Sequence, residues 1–182
     1  GLNKAVLEEK LTSPAAILQR LSDHVEEAFE KSGGSIKDGM DICLVAIDVK
    51  KRQVTYSGAH NALWILTSKD ELPNANLREE EAGKRMFELK ADRRSIGGFM
   101  DAGSFTEKTI ELNQGDRLFL FSDGFADQFG GPKGKKLGSK RMRETAREMS
   151  VSNNLATLGA IFQDWKGDEE QIDDVTVISV VI

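Results

Sequence analysis

The sequence contains a single cysteine, Cys43, and no internal repeat or low-complexity tract. None of its apolar runs comes near the roughly 20 residues that a membrane helix needs. One thiol excludes an internal disulfide framework and any zinc site built on several thiolates. The short apolar runs exclude a spanning helix, and no signal-peptide pattern opens the sequence. Positive charge is outnumbered: 25 Lys and Arg stand against 30 Asp and Glu, a mildly acidic formal net charge of −5. That balance argues against nucleic-acid binding by the surface as a whole. What is there, 182 residues, suffices for one domain with a substantial core. The expectation is a soluble cytoplasmic domain, 1–182, with no nucleic-acid partner and no membrane contact.

Periodicity divides the chain. Ser13-Pro14 is a helix start, a capping hydroxyl followed by a ring already set at helical φ. Ile17, Leu18, Leu21, Val25, Ala28 and Phe29 then recur at helical spacing, which places His24 on the outer face, and Gly33-Gly34 ends the segment. Leu2 to Glu9 reads as the tail of another helix. From Asp41 the period changes, and Ile42 to Ile47 form a continuous apolar run expected to be a strand covered on both faces. Further strands are expected around Val54 and Tyr56, at 63–66, 86–90, 105–112, 118–121 and 175–182. Residues 68–84 and 127–137 read as loops. Two helices are expected at about 138–149 and 152–166, the second capped by Ser152, with Leu155, Leu158, Ile161, Phe162 and Trp165 on its inner face. Strand runs flanked by helical pairs make this an α+β layered domain with mainly antiparallel sheets.

Chemistry gathers at the ends of two apolar strands. Asp123 lies in Ser122-Asp123-Gly124, where one strand runs out, and Asp173-Asp174 directly precede the last strand. If those strands are antiparallel neighbours, Asp123 and Asp173 meet at one sheet edge although 50 residues separate them. Clustered carboxylates repel one another and persist best around a cation, and carboxylate oxygens suit Mg²⁺ or Mn²⁺. The competing reading is structural: Asp123 begins a turn, and Asp173 or Asp174 caps a strand end.

Four ordered motifs carry a family resemblance. They are Asp38-Gly39-Met40-Asp41-Ile42, Tyr56-Ser57-Gly58-Ala59-His60-Asn61, Phe119-Leu120-Phe121-Ser122-Asp123-Gly124 and Asp173-Asp174-Val175-Thr176-Val177. In order and context the chain resembles the metal-dependent PPM phosphatases, in particular the bacterial SpoIIE type of serine/threonine phosphatase. The resemblance implies a sandwich of two antiparallel β-sheets flanked by α-helices, with a pair of Mn²⁺ or Mg²⁺ ions at one end. It also implies hydrolysis of phosphoserine or phosphothreonine by a metal-activated water. Asp123 matches the ligand Asp of the Ser-Asp-Gly motif and Asp173 that of the final motif. Asp174 stands where relatives often carry Asn, and so is a weaker ligand. The implied substrate is a phosphorylated regulatory protein such as an anti-sigma-factor antagonist, with a sensory module upstream.

The match is incomplete. The family's early acidic strand and its Asp-containing segment leading into Gly-His-Gly are absent. The expectation is therefore a phosphatase domain lacking its first strands, incomplete at the N-terminus, with an incomplete two-ion site and weak activity or none. Missing strands would expose sheet edges and favour self-association. The alternative is a noncatalytic pseudophosphatase that binds a phosphoprotein. Between Lys133 and Arg147 lie seven basic residues (Lys133, Lys135, Lys136, Lys140, Arg141, Arg143, Arg147) against one acid, Glu144. Lys133, Lys135 and Lys136 are candidates for steering an acidic phosphoprotein, against the plainer reading of a solvated loop. His60 lies in a turn that relatives place near the active site, and Arg93 and Arg94 are weaker phosphate candidates.

Overall fold

The computed structural model describes residues 1–31, 39–97, 103–152 and 156–182. These fall into two compact units, Gly1–Asp116 with Val181–Ile182, and Arg117–Val180. Among the described residues no helix is long and apolar enough to cross a membrane.

The first unit opens with a short π-helical turn, Lys4–Glu8, followed by α1, Pro14–Lys31. The Ser13 start is confirmed: its hydroxyl accepts the Ala16 amide at 3.2 Å, satisfying one of the amides a helix start leaves unpaired. Ile17, Leu18 and Leu21 are buried with Ala5, Ala59, Ile96 and Phe105, and Ile42 and Leu44 pack against this cluster. The Ser22 hydroxyl, also buried, accepts the Gly97 amide at 3.0 Å and donates to Glu26 at 2.9 Å. Both ring nitrogens of His24 are buried without a hydrogen-bond partner among the described residues, so His24 is not on a solvated outer face. Gly33, Gly34 and Asp38 lie outside the described residues.

Three antiparallel strands form the sheet beneath α1: β1 (Ile42–Asp48), β2 (Gln53–Ala59) and β6 (Lys108–Glu111), in the order β1-β2-β6. Val45 faces Tyr56 across the first pair and Val54 faces Ile110 across the second. β1 is half-buried along Ile42–Ala46 and exposed at Ile47 and Asp48. The expectation of a strand covered on both faces therefore fails, because β1 is an edge strand. The other sheet of this unit runs β3 (Leu63–Thr67), β5 (Lys84–Leu89), β4 (Asn76–Glu81), all antiparallel. β3 is buried throughout, and Trp64 and Ile65 on it and Met86 and Leu89 on β5 are tightly enclosed. Burial of such side chains contributes about 1.5–3 kcal/mol each.

β4 overturns the loop expected over 68–84. Its sequence, Asn-Leu-Arg-Glu-Glu-Glu, lacks apolar alternation because it is a mostly exposed edge, held by pairing with β5. The hairpin turns at Ala82-Gly83, whose φ angles of 51° and 73° are the left-handed pair that a tight two-residue turn requires.

The second unit contains β7 (Arg117–Phe121), a short α2 (Gly124–Asp127), a small hairpin β8 (Phe129–Gly130) with β9 (Lys135–Lys136), then α3 (Gly138–Ser152), α4 (Ala156–Lys166) and β10 (Val177–Val181). The expected 127–137 loop is thus partly a hairpin. Ser152 ends α3 and does not cap α4, and Leu155 lies outside the described residues. Phe125 and Phe162 meet with ring centroids 5.4 Å apart, so the inner face of α4 begins as expected.

Candidate metal and phosphate site

β7 and β10 are neighbours, and the contacts of Arg117 with Ser179 and of Ser122 with Thr176 show that they run antiparallel. At one end the Arg117 guanidinium donates to the Ser179 hydroxyl at 3.1 Å. At the other the Ser122 amide donates to the Thr176 carbonyl at 3.0 Å. The C-terminal end of β7 therefore meets the approach to β10, and Ser122-Asp123-Gly124 lies against Asp173-Asp174.

Gly124 makes this approach close. A β-carbon placed on it would lie 2.5 Å from the Asp174 carbonyl oxygen and 3.3 Å from the Asp173 β-carbon. Any side chain would push the two acidic segments apart. Ser122 locks the same junction: its hydroxyl donates to the Asp174 carbonyl at 2.9 Å and accepts the Thr176 amide at 2.9 Å. This was not legible as a function of Ser122, although the residue stood inside the quoted motif.

Asp123 occupies the N-cap position of α2, yet its carboxylate makes no capping hydrogen bond. Asp123 does begin the α2 turn, its carbonyl accepting the Asp127 amide at 2.9 Å, while its carboxylate is exposed. Asp173 is partly used locally, one carboxylate oxygen accepting the Asp174 amide at 2.7 Å. Asp174 is tied through its backbone, and its side chain is exposed. A polar recess of about 350 Å³ opens beside Gln171, Ile172, Asp173 and Asp174.

These oxygens suit Mn²⁺ or Mg²⁺ in kind. They do not suffice in number: among the described residues no group of three or more His, Cys, Asp or Glu side chains converges to hold an ion. A two-ion centre therefore does not fit the described residues as a closed shell.

The other candidates divide. Lys133, Lys135 and Lys136 are exposed on the β8–β9 hairpin, but Lys136 pairs with Asp127 at 2.8 Å and faces the Phe129 ring. The hairpin is held by α4. The Gly131 amide donates to the Trp165 carbonyl at 2.7 Å, and the Trp165 indole donates to the Gln128 carbonyl at 3.1 Å. Trp165 is thus half-buried against the hairpin, with Arg141 stacked 4.6 Å from its ring, and is not simply core. Gln128, fully buried, also donates to the Glu170 carbonyl at 2.9 Å and so anchors the segment leading to Asp173. Sequence reading missed Gln128, since nothing about a lone glutamine in a loop marks it as buried.

In the first unit, His60 is exposed at a strained turn with φ 54°, its amide donating to the Asp92 carbonyl at 3.0 Å. Asp41 accepts the Ser95 hydroxyl at 3.0 Å. Arg93 is exposed, while Arg94 is buried, its guanidinium 4.3 Å over the Phe105 ring and donating to the Gly103 carbonyl. Arg94 is a loop anchor, so the phosphate role weighed for it fails.

The comparisons with known proteins agree with this geometry. The family model described as Stage II sporulation protein E (SpoIIE) matches residues 2–182. The SiaA-PP2C domain of Pseudomonas aeruginosa is 26% identical, with a TM-score of 0.79 over 100% of this chain and 65% of that one. The PP2C phosphatase domain with a fragment of the regulatory domain of SpoIIE from Bacillus subtilis is 17% identical, TM-score 0.62, over 99% of this chain and 48% of that one. The catalytic domain of the serine threonine protein phosphatase PstP, in complex with 2 manganese ions, is 17% identical, TM-score 0.57, over 98% of this chain and 76% of that one. The chain thus spans less than two thirds of the first two structures it resembles. Among curated protein sequences none matches significantly. The α+β fold with antiparallel sheets is that of PP2C-like phosphatase domains, and the chain belongs to the SpoIIE family.

Proposed function

We propose that this chain is a protein phosphatase domain acting on phosphoserine or phosphothreonine in a bacterial regulatory protein, such as an anti-sigma-factor antagonist, with Mn²⁺ or Mg²⁺ as cofactor. Control by an upstream sensory module and a cytoplasmic location belong to the same proposal. The observation that carries the reading is the contact of Gly124 with Asp173-Asp174, which sets three carboxyl-bearing residues at one junction. Asp123 and Asp173 would be the principal ligands and Asp174 the weaker one. Exposed Lys133 and Lys135 would attract an acidic phosphoprotein. Because the donors do not close an ion shell, no hydrolytic step is assigned to them, and turnover by the 182-residue chain is expected to be weak or absent.

Calorimetric titration with Mn²⁺, beside turnover of a chromogenic phosphate ester, tests this. Weak Mn²⁺ binding that Asp123→Asn and Asp173→Asn each abolish is the expected result. Robust turnover would refute the low activity, and Mn²⁺ binding unaffected by both substitutions would refute the site.

The unclosed donor set also favours a second reading, a noncatalytic phosphoprotein-binding module. Binding of a phosphopeptide that persists in chelator, with no turnover under any metal, would select it.

A further inference from the structure

Within the second unit the cations around the β8–β9 hairpin divide by partner. Lys136 pairs with Asp127 at 2.8 Å, and Lys140 reaches Glu144 at 4.0 Å along α3. Lys133, Lys135 and Arg141 are exposed and have no ion-pair partner among the described residues, although Asp164 and Asp168 flank Trp165 in the sequence. Arg141 is nevertheless held, its guanidinium 4.6 Å from the centre of the Trp165 ring. A tryptophan face is the best aromatic platform for a cation, and the contact uses none of the five N–H donors. The same ring seats the hairpin turn. A β-carbon on Gly131 would lie 2.7 Å from it, and the Gly131 amide donates to the Trp165 carbonyl at 2.7 Å. From Gly131 the chain turns through Pro132 and Lys133, closed by the Gly134 amide on the Gly131 carbonyl at 3.1 Å. Proline at that place presets the turn. Trp165 therefore ties Arg141 and the turn that carries Lys133 to one ring, and Lys135 follows on β9.

We propose that Arg141, seated on Trp165, is a specificity-determining residue that binds carboxylate side chains flanking the phosphorylated residue of an acidic protein segment. This rests on the phosphoprotein reading above and adds to it the chemistry of the recognised sequence. Three cations without an internal acid, in a chain of net charge −5, make a local face complementary to an acidic partner. A guanidinium takes a carboxylate through two parallel hydrogen bonds, whereas a lysine acts as a point charge. Lys133 and Lys135 therefore supply attraction, and Arg141 supplies the geometric selection. Its seat on Trp165 fixes the guanidinium before the partner arrives, which lowers the entropy lost on binding.

Fluorescence anisotropy with three labelled peptides tests the assignment, with circular dichroism confirming that each variant folds. The first peptide carries a phosphoserine between glutamates, the second has glutamines in their place, and the third keeps the glutamates around an unphosphorylated serine. The wild-type chain is expected to bind the first about 5- to 10-fold more tightly than the second. Arg141→Lys keeps the charge but loses the fork, and should cut that preference to about twofold or less. Lys140→Met, next in the chain but paired with Glu144, should leave the preference unchanged. Absent or equal binding of the first two peptides, an Arg141→Lys chain that keeps the preference, or a Lys140→Met chain that loses it would each overturn the inference. Tighter binding of a single-stranded oligonucleotide than of the first peptide would assign the patch to nucleic acid and overturn it too. If the third peptide binds as well as the first and the preference for glutamate still needs Arg141, the acid recognition stands and the phosphoprotein reading fails.

Discussion

Ser122 and Thr176 bond reciprocally at the junction of β7 and β10: the Ser122 amide donates to the Thr176 carbonyl at 3.0 Å, and the Thr176 amide donates to the Ser122 hydroxyl at 2.9 Å. The same hydroxyl donates to Asp174, so one side chain ties the acidic segment to the strand end. Ser122→Ala removes both hydroxyl bonds. Because Ser122 is half-buried, water replaces them in part, and the expected loss is about 1–2 kcal/mol by urea denaturation. Mn²⁺ affinity should fall with it. Ser122→Thr keeps the hydroxyl and should restore most of both.

Gly124→Ala tests the close approach directly. Alanine is the better helix former by about 1 kcal/mol, and Gly124 opens α2, so propensity alone predicts a gain. The added methyl would lie 2.5 Å from a backbone oxygen, an overlap relieved only by moving Asp173-Asp174. Overpacking of that kind costs about 1–3 kcal/mol, so a net loss with weakened Mn²⁺ binding is expected. Gly159→Ala, in α4 with nothing near the new methyl, is the contrast: it should stabilise by about 0.5–1 kcal/mol.

The hairpin bearing Lys133 and Lys135 owes its position to Gly131, whose φ is 64° and whose added β-carbon would lie 2.7 Å from the Trp165 ring. Gly131→Ala combines left-handed strain with that overlap, and a loss of about 1–3 kcal/mol is expected. Tryptophan fluorescence should shift, since the indole loses its fixed seat. Dephosphorylation or binding of an acidic phosphopeptide should weaken more than that of an uncharged phosphate ester.

Most of the strands were legible because apolar runs such as Leu63–Leu66 and Leu118–Phe121 can only be buried. β4 was not, since its Arg-Glu-Glu-Glu stretch is a solvated edge whose strand character comes from pairing with β5. The half-burial of β1 was also hidden, because composition does not tell an edge from a centre. At the site, Asp123 and Asp173 could be brought together by supposing that the strands on either side are antiparallel neighbours. The clamp by Ser122 and the anchor by Gln128 depend on which carbonyls lie nearby, and no residue spacing encodes that.

Stability should decline at alkaline pH for a reason located in the β1–β2 pair. Burial pushes the Cys43 thiol from 9.0 up to about 12, and burial with nearby negative charge raises the Tyr56 phenol above 10.0. Tyr56 donates its proton to the Asn61 carbonyl at 2.8 Å, a bond that the neutral form alone can make. Both folded groups hold protons that the unfolded chain releases, so their contribution is full below pH 9 and lost as pH rises. Above 9.0 the unfolded thiolate should lower stability by at most about 1.4 kcal/mol per pH unit, and by less than that because Cys43 is only half-buried. Tyr56 adds a second decline above 10.0. Urea denaturation as a function of pH checks this: Cys43→Ala should delay the onset until Tyr56 alone responds. In the native state at pH 8, Ellman's reagent should label Cys43 only slowly, and fast labelling there would contradict its burial.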